Sequence, residues 1–224
     1  MPKPRPSTHR EKVRQQQQRQ KQLNRNLSIG IIAIVVIALV IAAWPEPEPE
    51  PLPASRMGSD PAIGAEGASI VIVEYGDFGC PTCRAWHLAD IRDKIMEEYP
   101  GQVLFVWRDY PVITEQSPKA AEAGQCAFDQ GKFWEYHDYI YEQTDSLGID
   151  DLKAYAREVG LDGEQFDQCL DSGRNKAKVN ESMQQGFKLG FPGAPGFLVN
   201  DQKLPGPPMY PTLKGIIDEM LAAQ

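Results

Sequence analysis

Two cysteines separated by two residues, Cys80 and Cys83 in the stretch Asp77-Phe78-Gly79-Cys80-Pro81-Thr82-Cys83-Arg84-Ala85-Trp86, are the side chains of this sequence best suited to chemistry. Such a pair can be half of a metal site, a structural staple or a redox centre. A c-type haem attachment needs His directly after the second Cys, and Arg84 stands there. Tetrahedral zinc needs four ligands; Cys80, Cys83 and His87 supply three, and no second Cys-x-x-Cys or His pair completes the set. No metal is expected. Redox chemistry finds its parts in place. Gly79 closes a strand and Pro81 suits the first turn of a helix, so Cys80 falls at a helix N-terminus, where unpaired N–H groups and the helix dipole favour a thiolate. On this reading Cys80 is the exposed attacking sulfur, Pro81-Thr82 is the active-site dipeptide, and Cys83, one turn further in, faces the core and closes the ring. The reactive group is then the Cys80–Cys83 disulfide itself, with no other cofactor.

The elements that must position this pair lie on both sides of it. Residues 68–75, ASIVIVEY, form a β-branched run between Gly67 and Gly76 and read as a buried strand. The spacing of Trp86, Leu88, Ile91, Ile95 and Met96 carries one helix from Pro81 to Pro100-Gly101, and VLFVW (103–107) is a second strand. Strand, helix and strand at this spacing imply a right-handed crossover and a parallel pair. Helical segments follow at Lys119–Gln130, Lys132–Gln143, Asp150–Val159, Glu164–Ser172 and Asn175–Leu189, with Gly131, Gly160, Gly173 and Gly190 at their C-caps. The chain then returns to a short strand, GFLVN (196–200), a turn through Asp201 and an amphipathic helix, Tyr210–Ala223. With strands at both ends and helices between, the pattern predicts one α/β domain carrying an all-helical insertion at about 117–189. Glu74 stands six residues before Cys80 inside the otherwise apolar first strand. Buried there, its carboxyl would have a raised pKa and could pass a proton to or from Cys83; the alternative is a strand-end Glu reaching solvent.

Charge points to a compartment. Residues 1–26 carry eight Lys and Arg against the single acid Glu11, whereas the rest of the chain has fifteen basic and thirty acidic residues, giving −8 in total. Between them, residues 27–44, LSIGIIAIVVIALVIAAW, hold no charge. At 1.5 Å per residue an 18-residue helix spans about 27 Å, close to the bilayer core. A cleavable signal peptide is the rival reading, but the 26-residue leader, the long apolar run and Pro45 favour an uncleaved anchor. The basic tail puts the N-terminus in the cytoplasm, and the extended, acidic Pro/Glu-rich linker at 45–58 holds a domain at 59–224 outside, where disulfides persist. The tail lacks interleaved aromatics and abuts the span, so it reads as a topology signal beside anionic lipid, with no nucleic acid expected as a partner.

Four motifs in order carry a resemblance: VEYGDFGCPTC (73–83), WRDYP (107–111), AAEAGQCAFDQGKFWEYHDYIYEQ (120–143) and GFPGAPGFLVN (190–200). Together they resemble the DsbA-like thiol-disulfide oxidoreductases of the thioredoxin superfamily, the membrane-anchored bacterial forms most of all, across Ser59 to Gln224. The resemblance implies a thioredoxin fold with a helical insertion. It also implies a cis-proline loop facing the cysteines, with Pro195 as that proline, leaving the Ala194 carbonyl free to pair with an extended peptide. It supports a buried acid at Glu74 and a structural disulfide between Cys126 and Cys169. Phe78, Ala194 and Phe191 would line the peptide site, and Trp86 either lines it or packs in the core. Two departures stand out: relatives often carry Thr or Val where this chain has Ala194, and larger residues at Gly196. The His common after the Arg-Asp-aromatic-Pro element is absent from VITEQS (112–117). The implied activity is oxidation of exported, folding proteins, with electrons passed to a quinone-linked DsbB-like or VKOR-like membrane partner. A reductase or isomerase of the same fold, and a non-catalytic peptide-binding module with a structural Cys-x-x-Cys, are the alternatives.

Overall fold

The computed structural model of the protein describes residues 59–143 and 146–223, together with positions 19 and 22. The predicted span, the predicted linker and all of the predicted tail but positions 19 and 22 lie outside these residues. Among the described residues no helix is long and apolar enough to cross a membrane. The chain divides into two units, Met1–Glu48 and Pro49–Gln224, and the fold is that of the second.

The elements run β1 (Ala62–Gly64), β2 (Ile70–Gly76), α1 (Pro81–Leu88), α2 (Ile91–Glu98), β3 (Val103–Asp109), α3 (Ser117–Phe128), α4 (Phe133–Glu142), α5 (Ile149–Glu158), α6 (Gly163–Ser172), α7 (Lys176–Lys188), β4 (Gly196–Val199), β5 (Gln202–Lys203) and α8 (Tyr210–Ala222). They form a sheet of order β1-β3-β2-β4-β5. The expected parallel pair is β2 with β3, and β4 joins β2 antiparallel. β2 and β3 are nearly continuous in apolar residues because both of their faces are covered. On one face Ile70, Ile72, Phe105 and Phe197 pack beneath Trp86, Ile91, Ile95, Leu213 and Ile217 of α1, α2 and α8. On the other, Val73, Tyr75, Leu104 and Val106 meet Tyr110, Phe191 and Met183 of α7. Each fully buried Ile, Leu or Phe here contributes about 1.5–3 kcal/mol.

Two expectations are corrected. The single helix from Pro81 to Pro100 is two helices, broken at Asp90, whose φ of 55° is left-handed. A short polar Asp tolerates that conformation, and the apolar spacing runs on across the break because Trp86, Ile91 and Ile95 enter one cluster. β1 and β5 were not expected: their residues are exposed throughout and give no alternating pattern. The predicted C-cap glycines Gly131, Gly160, Gly173 and Gly190 all have positive φ.

The helices α3 to α7 form the insertion. Its core, including Tyr136, Ile140, Leu152, Phe166 and Leu170, is continuous with Phe78, Cys80, Cys83 and Trp107 of the sheet layer. Within it Cys126 of α3 and Cys169 of α6 are joined by a disulfide, Cα to Cα 5.9 Å.

Candidate active site

β2 ends at Gly76, where a Cβ would lie 2.1 Å from the Trp107 ring, and the chain turns through Asp77-Phe78-Gly79 into α1. Cys80 is the N-cap of α1, in extended backbone (φ −91°, ψ 117°), and Pro81 follows in the first turn, where its missing N–H costs nothing. The Cys83 N–H donates to Cys80 Sγ at 3.4 Å, so the sulfur does the work of a capping oxygen. Cys80 Sγ in turn donates to the Ala194 carbonyl at 3.2 Å. The Ala194–Pro195 peptide is cis, and it brings the 190–196 loop onto the reactive turn. Both cysteines are free thiols. The expectation of an exposed Cys80 is corrected: it is 4% exposed against 0% for Cys83, because the Ala194 loop lies over it.

The two thiols differ in acidity. For Cys80 the hydrogen bond with the Cys83 thiol lowers it and burial raises it; the Cys83 and Thr82 N–H groups lower it further, and the net result is a thiol pushed down to about 6. Burial, its hydrogen bond to Cys80 and the nearby Glu74 charge push Cys83 far up. Glu74 lies between Trp107 and Phe197 in the sheet register and is 3% exposed, so it does not reach solvent. Burial pushes its carboxyl up to about 8, against the attraction of Arg92.

A cleft of about 440 Å³ opens beside Thr82, walled by the 190–196 loop and by residues 203–207. Phe191, Ala194 and Pro195 line it, but Phe78 does not. The Phe78 ring turns inward against Trp107, Phe133, His137 and Tyr141, so its expected substrate contact is corrected to a core role joining the sheet to the insertion. Trp86 is also core, its ring on Phe105 and Phe197 and its Nε1 donating to the Pro208 carbonyl at 2.8 Å. Gly196 is explained by its neighbour: a Cβ there would lie 2.5 Å from the Phe191 ring.

Against known proteins, a thioredoxin family model matches residues 56–219. The chain is 32% identical over 173 residues to the probable disulfide bond formation protein D of Bacillus anthracis, covering 71% of this chain and 77% of that protein. The chain belongs to the DsbA-like thiol-disulfide oxidoreductases of the thioredoxin superfamily. A thioredoxin-like oxidoreductase from Silicibacter pomeroyi DSS-3 shares the fold with TM-score 0.66 and 30% identity, over 74% of this chain and 94% of that one. A Na(+)/H(+) antiporter NhaA 3 of Salinispora tropica is 34% identical over 151 residues, 66% of this chain but only 22% of the antiporter. The non-catalytic alternative falls with this membership.

Three residues of the DsbA-like site were missed in the sequence. Asp77 is buried beneath the turn and accepts the Gly79, Val112 and Ile113 N–H groups. Asp109 accepts from Trp107 Nε1 at 2.8 Å and Gln125 Nε2 at 2.6 Å, and burial nevertheless pushes it up to about 6. Tyr110 donates to the Phe191 carbonyl at 2.8 Å, fixing the start of the cis-proline loop. All three stand inside the quoted motifs, yet apart from the Trp107 ring beside Asp109 their partners are backbone groups or residues farther along the chain, which spacing does not reveal. Among the described residues His87, His137 and Asp138 bring donor atoms within 4.8 Å of one another. Arg92 holds both Asp138 oxygens at 2.9 Å, so the cation this carboxylate attracts is already a guanidinium. His87, weighed as a third zinc ligand with the cysteines, instead turns to this group, 3.7 Å from Asp138.

Proposed function

We propose that this DsbA-like enzyme works as an oxidase, introducing disulfides into exported proteins outside the cytoplasmic membrane through Cys80 and Cys83. The observation that carries the direction is the contrast between the two sulfurs. A stabilised Cys80 thiolate lowers the free energy of the reduced form and so makes the disulfide a better oxidant. In the reaction a substrate thiolate attacks Cys80 Sγ of the disulfide; the Cys80–Cys83 bond breaks and Cys83 leaves as a thiolate. Cys83 holds a proton strongly, and Glu74, still protonated at neutral pH, is the acid that supplies it. A second substrate thiolate then attacks the substrate sulfur of the mixed disulfide. Cys80 departs readily, because a low-pKa thiol is a good leaving group. The substrate has lost two electrons and, to solvent, two protons; the enzyme is left reduced, with Cys83 as the thiol, Cys80 as the thiolate and Glu74 reprotonated from solvent.

The Ala194 carbonyl has two uses in this cycle. It accepts from the Cys80 thiol, and once Cys80 ionises it is free to accept an N–H from an extended substrate backbone. The cleft walled by Phe191 and Pro195 then takes the neighbouring substrate side chain. Reoxidation needs a membrane partner of the DsbB-like or VKOR-like kind, whose quinone takes the two electrons. The uncharged segment 27–44 would anchor the enzyme beside it, and the redox-active disulfide is its sole prosthetic group.

Two substitutions test the chemistry. Cys80→Ser is expected to abolish exchange, and Cys83→Ala to accumulate mixed disulfides with exported proteins on non-reducing gels. Adducts on the Cys80 variant and none on the Cys83 variant would reverse the two roles. Direction is tested by acid-quenched thiol trapping in the native cells together with a glutathione titration. A pair found mostly reduced, with a thioredoxin-like potential, makes the protein a reductase instead. Alkaline carbonate extraction tests the anchor: release of the full chain from membranes would exclude it.

A further inference from the structure

Asp77 takes no part in the steps derived above, yet no other side chain of the reactive turn is so fully bonded. It is 1% exposed. One carboxylate oxygen accepts the Gly79 N–H at 2.7 Å, and the other accepts the Val112 and Ile113 N–H groups at 2.8 Å each. All three partners are donors, so both side-chain oxygens of Asp77 act as acceptors. Its backbone carbonyl accepts the Cys80 N–H and the Tyr141 hydroxyl, both at 3.0 Å. A second observation concerns the same contact: a Cβ on Gly79 would lie 2.6 Å from Ser117 Oγ and 2.7 Å from Thr114 Oγ1. The 112–117 loop is thus pressed against the residue that precedes the attacking cysteine.

We infer that Asp77 is a positioning residue of the exchange site: its carboxyl clamps the 112–117 loop to the Gly79–Cys80 turn and through that clamp sets the surroundings of the Cys80 sulfur. The inference rests on the redox role of Cys80 proposed above. The groups around the Cys80 sulfur are Cys83 and the Thr82 N–H of α1, Glu74 of β2, Tyr141 of α4 and the Ala194 carbonyl. The N–H groups lower the thiol and Asp77 raises it, so the helix N-terminus and Asp77 act in opposition.

Asp77→Asn leaves one oxygen for the paired Val112 and Ile113 N–H groups. The pH dependence of iodoacetamide alkylation of the reduced variant should give a lower Cys80 midpoint, with about threefold or more thiolate at pH values below it. The equilibrium with glutathione should move toward the reduced protein by a similar factor. Asp77→Glu, which keeps the carboxyl, should return both readings toward wild type. A purely structural Asp77 would lower the melting temperatures of the oxidised and reduced forms alike and leave the alkylation profile and glutathione equilibrium where they were; that result, or a raised midpoint, overturns the inference. Should the Asn variant not fold, the Asp77 carboxyl ¹³C resonance of the wild-type protein must show an inflection where Cys80 ionises, and its absence overturns the inference equally. Wild-type protein that neither exchanges with glutathione nor oxidises a dithiol peptide would sink the redox reading along with it, whereas an active wild type with an unshifted Asn variant sinks the inference alone.

Discussion

Glu74 carries its proton at neutral pH in the folded chain, since burial pushes it up to about 8, while in the unfolded chain it ionises near its ordinary value of 4.5. A raised acid means that the native state binds the extra proton, so stability falls as pH rises between these two values. In the disulfide form the Cys80 charge that helps to raise Glu74 is absent, so the fall keeps its sign and stays below the roughly 2 kcal/mol that one proton allows between pH 6.5 and 8. Glu74→Gln is expected to abolish the slope in urea unfolding of the oxidised protein and to slow exchange at the step where Cys83 gains its proton. An unchanged slope would mean that Glu74 is ionised in the native state. Why was this carboxyl legible and Phe78 not? A charged residue in a β-branched strand has only two fates, solvent or burial, and the strand order decided between them. An aromatic two residues before Cys80 can turn either way, and its direction is set by Trp107, Phe133 and Tyr141, which come from distant parts of the chain.

Helix α1, with Cys80 as its N-cap, is seated on α4 through the ring of His87, which also lies 3.7 Å from the Asp138 carboxylate of a charged group shared by α2 and α4. Arg92 of α2 reaches Asp138 of α4 with two bonds of 2.9 Å, and His137 contacts the same carboxylate at 2.7 Å. Burial raises Asp138, but the hydrogen bonds from His137 and Arg92 hold it well below the usual carboxylate range. Burial pushes His137 down to about 4. A depressed histidine stabilises the fold above its unfolded value near 6.5, and that contribution is lost as pH falls toward 4. Arg92→Met should leave Asp138 without its bidentate partner and cost about 3 kcal/mol, read from the urea midpoint at pH 7. A loss below 1 kcal/mol would mean that solvent replaces the guanidinium. The helices that meet here were legible from their periodicity and from the turn residues that bound them. The break at Asp90 was not, because a left-handed residue leaves no mark on a hydrophobic pattern that continues across it.

The insertion and the sheet share one apolar core, so the packing around Cys80 depends on helices that begin nearly forty residues further along the chain. Cys126 and Cys169, 43 residues apart in sequence, close the insertion on itself. In the chain-entropy model such a loop contributes about 4 kcal/mol. The Cys126→Ala, Cys169→Ala double variant should lose about that much in urea unfolding while keeping the Cys80 alkylation profile. An altered profile would mean that this pair is coupled to the reactive one. Both cysteines are 1% exposed, so no catalyst reaches them once the insertion has closed. The bond must be made while α3 and α6 are still parting and meeting, on a chain that does not yet hold its own working site. A finished copy, if it oxidises exported chains as proposed, is equipped to do this for an unfinished one. Maturation would then be self-seeding: reduced protein refolding from denaturant in oxidised glutathione should form the Cys126–Cys169 bond after a lag that a trace of mature enzyme removes and a trace of the Cys80→Ser variant does not.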